Sequence, residues 1–151
     1  MGKVMIVIRE PNTDSEAEIA LKYVNQATKE VGSAYTIREA IHEISKGSVK
    51  LYVIEDREKE RENNIRGAFT MRHYTQWGES ISELENVGGV GVDDWIEAVV
   101  EFWEVEALRM GSNVMRARGR PGWGRYAAGF RFMKECTVWR RAVDEGDRHG
   151  R

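Results

Sequence analysis

The apolar positions of this chain change period several times, and each change predicts an element. Residues 3–9 alternate and are rich in Val and Ile, which predicts a first strand. Pro11-Asn12 ends it. Thr13, with Glu16 three residues on, forms a capping box for a helix reaching Val31, with Ala20, Tyr23, Val24, Ala27 and Val31 on one face. Gly32-Ser33 closes that helix, and Thr36 with Glu39 opens a short second one that carries Ile37, Ala40, Ile41 and Ile44 and stops at Gly47. Residues 49–55 and 65–75 read as the second and third strands, with Gly67 marking a bulge or a close approach. The charged run 56–64 between them is a solvated turn. Residues 76–79 turn the chain into a fourth strand at 80–87.

The stretch that follows organises the rest. Residues 93–110 form a long amphipathic helix in which Ile96, Val99, Val100, Trp103, Ala107 and Met110 repeat at helical spacing. Asp93 and Asp94 stand where an N-cap and first-turn acids belong, and Gly111 where the helix must end. Trp95 and Trp103 are eight residues apart and do not both fit centrally on one narrow stripe, so at least one is expected to meet another layer, a ligand or a partner. Residues 113–118 predict a fifth strand and 119–124 a Gly-rich tight turn. A short turn or helix and a last strand rich in Phe, Val and Trp complete the order β-α-α-β-β-β-α-β and then β. A meander followed by a strand–helix–strand crossover demands a mixed, mostly antiparallel sheet with helices on both faces, an α/β (α+β) domain. Residues 1–143 are expected to form that domain and 144–151 a polar tail.

With 151 residues, 41% hydrophobic and 32% charged, the chain suits one folded domain. No apolar run approaches the roughly 20 residues of a membrane span, and no signal-peptide core follows Met1. The single cysteine, Cys136, falls in the predicted last strand and points to a buried thiol in a reducing, cytoplasmic-type setting. The net charge of −2 hides an asymmetry: residues 112–151 hold ten Arg or Lys against four acids, and residues 1–111 hold thirteen against twenty-one. The basic end is either a solvated face or a ring of Arg116, Arg118, Arg120, Arg125 and Arg131 around an anion or nucleic acid.

The element order resembles the GNAT-type N-acetyltransferase fold. Ile65-Arg66-Gly67 opening a mid-chain strand, the helix ending at Met110-Gly111, the strand at 113–118, and Tyr126 with Gly129-Phe130 carry the resemblance. The family commonly shows Tyr-x-x-x-Gly-Phe near this point; here the run is one residue shorter. The segment 119–125 also resembles GNAT-like proteins of tailed bacteriophages. The resemblance implies acetyl-CoA as cofactor, an amine acceptor, and a pyrophosphate loop at Val87, Gly88, Gly89, Val90, Gly91 and Val92. It departs from the family at Asp93 and Asp94, which put negative charge beside that loop and offer oxygens to its amides, with no basic residue between Gln76 and Asp94 to offset them.

The same resemblance makes Glu83 and Glu85 on the fourth strand candidates for the base, against plain exposed strand residues, and Tyr126 the candidate acid, against a loop-packing tyrosine. His73 reads as structural, and no two of His42, His73 and His149 have metal-ligand spacing, so no metal is expected. Three readings stay open: an acyl-CoA-dependent N-acetyltransferase, a silent GNAT-fold binding or assembly part of host cytoplasm or a virion, and an anion or nucleic-acid binder.

Overall fold

The structure is a computed structural model that describes residues 5–30, 37–58, 64–117 and 123–132. The elements follow in the order β1 (Ile6–Arg9), α1 (Asp14–Glu30), α2 (Ile37–Lys46), β2 (Lys50–Asp56), β3 (Ile65–Gln76), β4 (Glu79–Gly89), α3 (Val92–Arg109), β5 (Val114–Ala117) and α4 (Gly124–Gly129). The predicted last strand with Cys136, the turn 119–122 and the tail 144–151 lie outside the described residues. Strand order across the sheet matches chain order, β1-β2-β3-β4-β5. The first three pairings are antiparallel and β4–β5 is parallel, as a crossover through α3 requires. The architecture is a single α+β domain with a mixed sheet between helical layers.

Local chemistry explains where the elements begin. Thr13 Oγ1 accepts from the Glu16 amide at 3.1 Å, one half of the expected capping box. The Glu16 carboxylate reaches back one residue further than the box predicts, to the Asn12 amide at 2.8 Å. Arg9 then joins Glu16 at 2.6 Å to Glu55 at 2.7 Å, tying β1, α1 and β2 together. The β3–β4 hairpin turns on Trp77 and Gly78, both with left-handed backbone (φ 49° and 79°), as a two-residue turn demands.

The two sheet faces carry separate cores. Ala20 and Val24 of α1 pack on Leu51, Val53, Ile65 and Ala68. On the opposite face Trp95, Val99 and Trp103 of α3 pack on Tyr52, Ile54, Phe69, Met71 and Leu84. Trp95 and Trp103 share one core, at 0% and 1% exposure, and Trp103 also stacks on Phe132, outside the sheet and α3, as expected of at least one of the two. Val99 sits midway between them, and the buried stripe drawn by residues spaced four apart is wide enough for both indoles. Each indole N–H finds an acceptor: Trp103 Nε1 donates to Ser82 Oγ at 3.0 Å and Trp95 Nε1 to the Val90 carbonyl at 2.8 Å. Met110, assigned to the apolar face by spacing, is 49% exposed because the helix has ended.

Candidate functional site

Two features of β4 create the site. Its pairing with β5 stops at Leu84↔Ala117, yet the strand continues for five residues to Gly89. Along 85–89 one edge of β4 has no strand partner among the described residues. The register with β3 also slips between Phe69↔Val87 and Met71↔Leu84, so β4 carries an extra residue there. This is a bulge. Asn86 sits in the bulge, and both its backbone and side-chain nitrogens donate to Thr70 Oγ1, at 3.3 and 3.4 Å, where ladder bonds are interrupted.

Beyond the open edge, Gly88 and Gly89 lead into α3. A side-chain carbon at Gly88 would collide with the Tyr23 carbonyl of α1, so only glycine lets β4 and α1 approach this closely. Val90 is anchored twice, its amide donating to the Arg66 carbonyl at 2.8 Å and its carbonyl accepting from Trp95. Gly91, the N-cap of α3, is left-handed at φ 66° and ψ 43°, and no side chain caps the helix. Asp93 and Asp94 are the first-turn acids the sequence predicts, but neither is the N-cap: both fall past the capping position, and their carboxylates turn elsewhere. Asp94 Oδ2 meets Arg66 Nη2 at 3.4 Å, and Asp93 Oδ1 accepts from the Tyr126 hydroxyl.

Sequence reasoning did not connect Arg66 with this loop. No cation stands near Asp94 in the chain, but β3 brings one across 28 residues. Its Nη1 is held at 3.2 Å by Asp56, which is 1% exposed, and its Nη2 occupies the space where Gly91 lacks a side chain. The loop thus has a guanidinium at its edge, shared between Asp56 and Asp94.

A second cluster lies on the α1 side of the sheet, one residue pair from the bulge. Glu83 is fully buried and both carboxylate oxygens are engaged, by Tyr74 Oη at 3.0 Å and Arg72 Nη2 at 3.0 Å. Arg116 of β5 donates to Tyr74 Oη at 3.0 Å and to Gln76 at 3.2 Å. Glu85, in the bulge, pairs with Arg72 Nε at 2.7 Å. Two cations and two anions thus balance. Burial, opposed by Glu83 and Glu85, leaves the Arg72 guanidinium raised above its usual range, and burial together with Glu83 pushes the Tyr74 phenol up. The structure therefore brings Glu83 and Glu85 together, and places Tyr126 at the start of α3 with its ring 5.5 Å from Trp123. Of the basic ring, Arg116 is committed to the sheet face, Arg125 lies in α4, Arg131 is exposed, and Arg118 and Arg120 lie outside the described residues. His73 is half-buried, and that burial pushes its imidazole down. Among the described residues no group of three His, Cys, Asp or Glu side chains converges as a metal site, and no helix is long and apolar enough to cross a membrane.

No family model and no curated protein matches the sequence. Solved structures do. A GCN5-related N-acetyltransferase from Ralstonia eutropha JMP134 superposes with a TM-score of 0.69 at 11% identity, over 91% of this chain and 99% of that one. The glucosamine-6-phosphate N-acetyltransferase from Arabidopsis thaliana gives 0.66 at 14% identity, over 93% and 99%. A transcriptional regulator from Bacillus halodurans C-125 gives 0.67 at 17% identity, over 92% and 100%. At these identities the likeness is one of fold: the chain has the fold of GNAT-type acetyltransferases.

Proposed function

We propose that the chain binds an acyl-CoA along the open edge of β4 and transfers its acetyl group to an amine. The observation that carries this reading is the edge itself: past Leu84 no described strand pairs with that side of β4, and the strand leads straight into an uncapped helix start. A pantetheine arm is a chain of amides, and an unpaired strand edge is the backbone surface that such a chain can hydrogen-bond. The residues fit the anionic end as well. Past Val90, whose amide is taken by the Arg66 carbonyl, the uncapped start of α3 offers backbone amides at its positive end, and Arg66 stands beside them paired with Asp94. When bound, acetyl-CoA supplies a thioester carbonyl open to attack.

The chain's own groups divide the proton work. Glu83, closed on both oxygens, positions Arg72. Glu85 stands at the first position past the last β4–β5 pair and takes the amine proton. Tyr126 brings an O–H to the same end of the molecule from α4 and protonates the departing sulfur.

The test is the double change Asp93→Asn with Asp94→Asn, titrated with acetyl-CoA in a calorimeter. Removing both carboxylates releases Arg66 and Tyr126 and relieves repulsion of about 1 kcal/mol or more per close contact, so binding should tighten. A second reading, a silent GNAT-fold binding or assembly part of the kind the bacteriophage resemblance implies, draws support from the negative charge that Asp93 and Asp94 place in the first turn of α3, beside the loop. It predicts that millimolar acetyl-CoA shifts the melting temperature of neither form, a result that would end the transferase reading, since a ligand specific for the folded state must stabilise it.

A further inference from the structure

The buried Glu83 cluster reaches the surface through Arg72. Arg72 is 38% exposed along its side chain while its partners Glu83 and Glu85 are 0% and 10% exposed. It emerges in a groove of about 570 Å³ between the sheet and α2, lined by Arg38, Glu39, His42 and Glu43 together with Arg72. Every lining side chain is polar and titratable. The side-chain stems give the wall apolar surface, and its heads set two guanidinium groups and an imidazole beside two carboxylates.

That mixture is selective. A simple monoamine meets Glu43 but leaves Arg38 and Arg72 facing uncharged groups. A simple anion does the reverse. A molecule with both charges a few bonds apart meets both sets. Arg72 is also equipped for the second contact: Nη2 and Nε serve Glu83 and Glu85, and the donors of Nη1 remain for a further acceptor. A ligand carboxylate on Arg72 lies within one side-chain length of Glu85, because Glu85 Oε1 is 2.7 Å from Arg72 Nε.

We infer that this groove seats the acceptor, and that the acceptor is a small amine bearing a carboxylate near its amino group, in the manner of a free amino acid. Arg72 and Arg38 hold the carboxylate, Glu43 receives the ammonium, and Glu85 removes its proton. The inference rests on the transferase reading, and its test separates the two.

Acetyl-CoA binding is first measured by calorimetry, without any acceptor. Thiol release is then followed at saturating acetyl-CoA with the proteinogenic amino acids, each paired with the amine that lacks its carboxylate. At least one amino acid should exceed its decarboxylated partner in kcat/KM by about 10- to 100-fold, the worth of one charge-assisted hydrogen-bonded contact. Arg38→Gln should bring that preference to within about 2-fold, through KM rather than kcat. The lining residues of α2 other than Glu43 are exposed, so this variant is expected to fold, and a melt confirms it. Arg38→Lys, which keeps the charge, should restore part of the preference. If acetyl-CoA binds and amine and amino acid are used equally, or none of the panel is acetylated, the acceptor inference is overturned while the cofactor reading stands. If acetyl-CoA does not bind at all, both fall.

Discussion

Replacing Glu83 with alanine should cost about 3 kcal/mol of stability, and the figure follows from what surrounds the carboxylate. Removing one partner of a buried ion pair costs about 3–5 kcal/mol because the other charge is left uncompensated. Arg72 keeps Glu85 and solvent contact over 38% of its side chain, which places the expected value at the low end of that range. Tyr74 Oη would also lose its acceptor while still receiving a hydrogen bond from Arg116. Glu83→Gln retains an oxygen for Tyr74 and nearly all of the volume, so it should cost about 1–2 kcal/mol. Urea denaturation followed by tryptophan fluorescence measures both, and the slope of the transition shows whether the folded state remains compact. An alanine variant within about 1 kcal/mol of the parent would refute the reasoning, since it would mean that Glu83 neither neutralises Arg72 nor orders Tyr74.

Trp103→Ala should lose about 3–5 kcal/mol in the same melts, since the indole is 1% exposed and stacks at 5.2 Å on Phe132; a loss below about 1 kcal/mol would remove α3 from the core. Acid titration should find a second weak point. Arg9 hydrogen bonds hold the Glu16 carboxyl at about 2, below its ordinary 4.5, so its contribution is complete above about pH 4.5 and is lost as pH falls toward 2. Glu55, lowered chiefly by the same Arg9, acts in the same direction. Glu16→Gln should flatten the fall in stability across that window when followed by circular dichroism, and an unchanged profile would show that Arg9 does not hold the carboxyl down.

Most of the fold was legible in the sequence because its signals are local. The box at Thr13 and Glu16, the period of α3 and the alternation of β2 all act within a few residues of one another. The site was less legible because it is built by register. Arg72, Tyr74, Glu83 and Arg116 read individually as charged or polar strand positions, which usually face solvent; only the pairings Arg72↔Glu83 and Glu83↔Arg116 gather them into one buried set. The cap of α3 was misread for a related reason. Asp93 is a good capping residue by type, but the left-handed Gly91 sets the start of the helix, and Arg66, 28 residues before Asp94, captures the neighbouring carboxylate.

The sheet whose strands lie in chain order also bears on how the molecule is assembled. None of the five described strands has to slide between two already paired neighbours; each one is laid against the outermost strand of what exists. A chain emerging from the ribosome can therefore grow its sheet by accretion, exposing a single unfinished border at every stage. The two long waits are for β2, while α1 and α2 are made, and for β5, while α3 is made. When β5 arrives it covers only the first half of β4. The stretch at 85–89 is thus a remnant of the growing border that no described strand covers, so that the place proposed for a ligand is the point at which β5 stops short of the end of β4.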